Sequence, residues 1–186
     1  MSGTLVIADR IITGFSADGA PEIVEDAAIL MENDTIAAIG PTADLRCAHP
    51  QAREIGGRGL VAIPGLVNAH HHVGLTPFQL GARDQPLELW FPERLAMRDV
   101  DPRLDTLFAA FEMVASGVTT VQHLHSRAPG DSGAVIAQAE AIIGAYVELG
   151  MRASYSFALR DQNRMIYDAD EAFVASLPEV LRRTTD

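Results

Sequence analysis

A chain of 186 residues, 48% hydrophobic and 21% charged, is long enough for one good core, or one domain and part of another, and too apolar to be disordered. Its 25 acidic residues outnumber 14 basic ones for a net charge of −11, so the surface repels nucleic acid and anionic lipid and argues against binding polymers through phosphate. The start Met1-Ser2-Gly3-Thr4 lacks a signal peptide's basic region and apolar core, no apolar run nears a span's ~20 residues, and the single Cys47 precludes an internal disulfide; together these predict a cytoplasmic protein without a membrane partner.

The β-branched stretch at residues 4–13 predicts a strand, and Ser16-Ala17-Asp18-Gly19 predicts a turn. Ala27–Met31 and Thr35–Ile39 predict a hairpin around Glu32-Asn33-Asp34, with a short helix at Thr42–Arg46 and Glu54-Ile55 leading into Gly56-Gly57. From Gly59 the pattern becomes strand then helix, repeated. The apolar run from Leu60 to Ala69 predicts one buried strand, followed by a long excursion from His72 to Val100. Asp101-Pro102 is an N-cap and first-turn pair, and Leu104, Leu107, Phe108, Phe111 and Val114 supply an apolar stripe before Gly117 closes the helix. Val118–His123 predicts a second strand, Ser132–Leu149 a helix stopped by Gly150, and Met151–Phe157 a third strand. A last helical piece is expected over Asp168–Ser176, with a turn opened by Pro178.

This alternation predicts an α/β fold of parallel βαβ units. A complete (β/α)8 barrel takes about 250 residues. The expected architecture is therefore an incomplete (β/α)8 TIM barrel of about three βα units over 57–186, preceded by a small β-rich portion over 1–56.

The first strand ends in His70-His71-His72. Side chains alternate along a strand, so His70 and His72 share a face and His71 points the other way. Two imidazoles at that spacing can both reach one ion at about 2.0–2.1 Å. Imidazole suits zinc, iron or nickel, so a divalent metal is expected, with zinc first and iron as the alternative. The second strand ends in Gln122-His123-Leu124-His125, another His-x-His pair sharing a face. His123 and His125 read either as pocket residues or as histidines satisfied by ordinary hydrogen bonds.

The stretch Pro64-Gly65-Leu66-Val67-Asn68-Ala69-His70-His71-His72 resembles the first-strand signature of the amidohydrolase superfamily, Pro-Gly-x-hydrophobic-Asp/Asn-x-His-x-His. Gly117-Val118-Thr119-Thr120-Val121 resembles the same family's second strand. Residues Phe78 to Trp90 resemble the loop after strand one in the aminohydrolase branch, which holds cytosine, guanine and adenosyl-homocysteine deaminases and triazine hydrolases. Gln79 stands where an arginine is common there, and Arg83 and Gln85 depart from an aspartate and a leucine.

The resemblance implies a small β-sandwich before the barrel and a metal-activated water that hydrolyses a C–N bond, most often deaminating a nitrogen heterocycle. The substrate would then be a small molecule. Gln79 could hydrogen-bond its ring and Trp90 could wall the pocket, although a tryptophan here also reads as core. The family's other parts are histidines ending strands five and six, a glutamate after strand five and an aspartate ending strand eight. No histidine follows His125, so no catalytic base is identified, and the isolated chain is expected to bind metal weakly and turn over little. A homo-oligomer or a further C-terminal portion would complete it. The alternatives are a non-catalytic half-barrel acting as a structural or regulatory subunit, and a hydrolase of cyclic amides like dihydroorotase or imidazolonepropionase.

Overall fold

The computed structural model describes residues 3–72, 83, 85–87, 89, 90, 93, 98–125, 131–158 and 169–183. These belong to two units, Met1–Gly65 and Leu66–Asp186.

In the first unit, apolar β-branched runs form β1 (Thr4–Phe15) and β2 (Pro21–Glu32), with β3 (Thr35–Pro41), α1 (Thr42–Ala48) and β4 (Arg53–Ala62) following. The sheet order is β3-β2-β1-β4; β2 pairs antiparallel with both β1 and β3, whereas β4 lies parallel to β1. Asn33, with φ +57°, makes the tight reversal between β2 and β3. Leu45 of α1 packs on a cluster of Leu5, Ala28 and Leu30. Arg46 holds Glu54 through two hydrogen bonds of 2.8 Å.

The apolar run read as one strand from Leu60 to Ala69 is in fact two. Its first part belongs to β4, which pairs with β1 out to Ala62, and its second part is β5 (Leu66–His71) in the other unit. Pro64 has no N–H to give a ladder, so the break falls there. The division between units accordingly lies after Gly65 rather than at residue 56. The run is also not buried: Leu60, Val61, Ile63, Leu66 and Val67 are all exposed.

The second unit alternates strand and helix as the pattern predicts: β5, α2 (Pro102–Ala115), β6 (Val118–His125), α3 (Ser132–Leu149) and β7 (Arg152–Phe157), then α4 (Asp170–Ser176) and α5 (Glu179–Arg182). Its sheet is parallel throughout, in the order β5-β6-β7. Asp101 caps α2 by accepting from Leu104 N–H at 2.8 Å, and Asp131 caps α3 by accepting from Ala134 N–H at 2.9 Å. Gly150, at φ +75°, takes the left-handed position that ends α3.

The core between helices and sheet joins Ala109, Ala110 and Met113 of α2, Val121 of β6, and Ile142 and Tyr146 of α3 to Met151. The buried face of α2 differs from the apolar stripe in the sequence. Leu104, Phe111 and Val114 are exposed, while Asp105, Thr106, Ala109, Ala110 and Met113 are buried. Alanines bring the helix backbone close to its neighbours, and that close packing decides the face over side-chain hydrophobicity.

Candidate metal centre

β5 delivers two imidazoles to one point. His70 Nε2 and His72 Nε2 lie 3.1 Å apart, their rings nearly perpendicular. Two nitrogens bound to one tetrahedral zinc at about 2.05 Å would be separated by about 3.3 Å, so the pair already stands close to ligand spacing. His72 is further locked by its other nitrogen, since Nδ1 lies 2.8 Å from the Leu124 carbonyl of β6. A carbonyl only accepts, so Nδ1 carries the proton, and Nε2 is the nitrogen that would offer a lone pair to a metal. Such a backbone partner is the usual device for fixing a metal-ligating histidine. The donors present therefore fit a divalent metal as two of its ligands. Among the described residues no group of three or more His, Cys, Asp or Glu gathers at ion-binding distance.

The unit's other three histidines, His71, His123 and His125, turn to the opposite face. His71 is in register with His123, and their rings meet edge to face with centroids 6.4 Å apart. Nδ1 of His123 pairs with the Tyr146 hydroxyl of α3 at 3.0 Å, which puts this face against the helices. His125 lies beyond it, stacked on Tyr155 and edge-on to Phe157. His123 and His125 thus share a face, as strand alternation requires, but it is the helix-covered one. Burial lowers the pKa of His123 to about 3, helped by His125, His71 and His72. His71 is lowered chiefly by burial and also by His72, against an opposing pull from Asp105. Both rings are held neutral.

The parity of the sheet is set by an irregularity. Asn68 pairs with Val121 and His71 with His123, so β5 spends three residues where β6 spends two. The extra residue lies between Asn68 and His71, and it moves His70 and His72 off the face that Asn68 shares with the helices. Sequence alternation alone could pair the two histidines but not say which face they take.

On the His70 and His72 side, β6 and β7 offer Gln122, which donates from Nε2 to Ser156 Oγ at 3.0 Å. Gln122 alternates with His123 along β6, and Ser156 stands beside Leu124 in the register. Neither was singled out in the sequence; the signal that could have found them is strand parity, once His123 is known to face the helices. Trp90 is half-buried in a short helical turn, its backbone N–H donating to the Pro86 carbonyl at 3.0 Å. Gln79 lies outside the described residues.

Several known proteins resemble the chain in sequence or in structure. Residues 27–52 match the imidazolonepropionase-like composite domain of bacteria. A 5-methylthioadenosine/S-adenosylhomocysteine deaminase of Pelotomaculum thermopropionicum is 28% identical over 161 residues, 84% of this chain and 34% of its own length. Atrazine chlorohydrolase of Arthrobacter aurescens, whose structure holds zinc, matches with a TM-score of 0.64 at 28% identity, over 83% of this chain and 35% of that one. The guanine deaminase of E. coli shares the fold, with a TM-score of 0.67 at 20% identity over 97% of this chain and 43% of its own. The chain spans about a third of the length of the curated relatives it matches. No described helix is long and apolar enough to cross a membrane.

Proposed function

We propose that the chain is the N-terminal portion of an amidohydrolase-superfamily enzyme and supplies the first part of a metal-dependent hydrolase that deaminates a nitrogen heterocycle. Its likeness to deaminases and triazine hydrolase over about a third of their length supports this reading. The single observation that carries this reading is the convergence of His70 Nε2 and His72 Nε2 at 3.1 Å. In this reading β5 to β7 are the first three strands of a (β/α)8 barrel, and the first unit is part of a β-sandwich.

A divalent metal, zinc first, supplies water activation near neutral pH. His70 and His72 would hold it, and the Leu124 carbonyl keeps His72 in the required tautomer. Gln122 and Ser156 offer amide and hydroxyl groups that can donate to or accept from a heteroaromatic ring. Gln79 and Trp90 join them as pocket residues on the strength of the resemblance alone. His123 and His125 are assigned instead to packing and orientation beneath the site, because their partners are Tyr146, Tyr155 and Phe157. The remaining ligands and the proton shuttle come from strands beyond the third, or from another chain that covers the outer strands β5 and β7. The protein works in the cytoplasm, in keeping with its one exposed, free cysteine, Cys47.

The match of residues 27–52 to an imidazolonepropionase-like domain favours a second reading, hydrolysis of a cyclic amide. Expression of the complete reading frame that holds this sequence separates the two. The zinc-loaded product is expected to release ammonia from methylthioadenosine, guanine or an aminotriazine. Ring opening of a cyclic amide without ammonia would move the assignment to the second reading. A frame that stops at codon 186, with neither reaction, would leave a non-catalytic half-barrel.

A further inference from the structure

We infer that Asn68 is a positioning residue for the metal pair, its side chain holding the irregular turn of β5 that brings His70 and His72 out of the helix-covered face. The inference rests on the reading of those two histidines as metal ligands.

Asn68 Oδ1 accepts from the backbone N–H of His70 at 3.2 Å. This side-chain bond to the residue two positions on imitates a backbone turn, and it is local compensation for an N–H that a bulge removes from the strand ladder. The other end of the same amide reaches Met113 Sδ at 3.8 Å. Met113 is 6% exposed, in the core between α2 and the sheet. The two bonds fix which way the amide points, because only its oxygen can accept from His70 and only its nitrogen carries hydrogens for the sulfur. Asn68 is thereby anchored to the core while it grips the backbone of the first ligand.

In a strand of unbroken alternation, residues 68, 70 and 72 would share a face. Asn68 faces Met113, so both imidazoles would then enter the helix layer. The register shift between Asn68 and His71 prevents this, and the Asn68 bond spans that shift. Aspartate at position 68 can still accept from His70 N–H. Alanine or leucine cannot.

Zinc titration against a chromophoric chelator tests the assignment on the 186-residue chain and on Asn68→Ala, Asn68→Asp, Met113→Leu and His70→Ala. Hydrogen exchange at the His70 amide is read in the metal-free proteins, and circular dichroism verifies folding. Asn68→Ala is expected to weaken zinc binding about 10- to 100-fold, as loss of a ligand's supporting partner does, and to speed exchange at His70. Asn68→Asp and Met113→Leu each keep an acceptor for the His70 N–H but give up the amide–sulfur contact, so each should weaken zinc binding by no more than about threefold. Should Asn68→Ala fail to fold, Asn68→Leu, of similar size and without an acceptor, carries the same comparison. Parent-like zinc affinity and parent-like exchange in Asn68→Ala would overturn the role of Asn68 while leaving the metal site standing. A parent that binds zinc no better than His70→Ala would overturn the metal reading, and the role of Asn68 with it.

Discussion

Acidification is expected to destabilise the second unit, because burial makes His123 hard to protonate in the folded chain. Its pKa falls to about 3 in the folded chain, mainly through burial, with His125, His71 and His72 adding to the effect. In the unfolded chain it returns to about 6.5. The stability is therefore fully present above about pH 6.5 and is lost as pH drops towards 3, since only the unfolded state gains the proton. Each pH unit well inside that window costs up to about 1.4 kcal/mol, against a domain's usual 5–15 kcal/mol. His71, also lowered by burial, adds in the same direction.

Urea unfolding followed at several pH values between about 7.5 and 4.5 measures the slope of stability against pH. The double substitution His123→Phe/Tyr146→Phe removes the titrating ring together with the hydroxyl that pairs with it, so no buried partner is orphaned. It should flatten the slope by close to one proton. An unchanged slope would mean that His123 is accessible to protons in the folded state.

The second large effect lies in the first unit. Gly56→Ala is expected to destabilise that unit by roughly 3 kcal/mol or more, from a left-handed backbone and a steric clash together. Gly56 has φ +87°, and a Cβ placed there would meet the Ile7 carbonyl oxygen well inside 3.0 Å. That oxygen is backbone of β1, in register with Gly56 across the parallel β1–β4 pair, so it cannot swing away. Gly40→Ala is the internal control. An added Cβ at Gly40 meets nothing within 4 Å, and its cost should stay within about 0.5 kcal/mol. Equal unfolding midpoints for the two variants would contradict the close approach of β4 to β1.

How much of this was legible in the residues follows from the kind of signal each feature leaves. Asp101 and Gly150 act within one helical turn, so the start of α2 and the end of α3 were readable directly, whereas Asp131, read as loop, proved to be the N-cap of α3. His70 and His72 are two apart in a strand, which is enough to predict that their nitrogens converge. The face they occupy was not readable. It depends on an extra residue in β5, and that irregularity exists only relative to β6. The same reason hid the destination of His123 and His125, whose spacing promised a shared face without saying that Tyr146 waits on it. The division of the apolar run at Pro64 was written in the sequence, because proline cannot join a ladder, yet continuous hydrophobicity pointed the other way. The buried face of α2 was missed because close packing favoured its alanines over its larger apolar side chains.

The most direct test of the metal centre is X-ray absorption on the zinc-loaded chain, compared with the His70→Ala/His72→Ala double variant. The parent is expected to show at least two imidazole nitrogens at about 2.0–2.1 Å from zinc, and the double variant to lose that imidazole signal with the bound zinc. Zinc retained in the double variant with the same imidazole scattering would place the ion elsewhere and contradict the site.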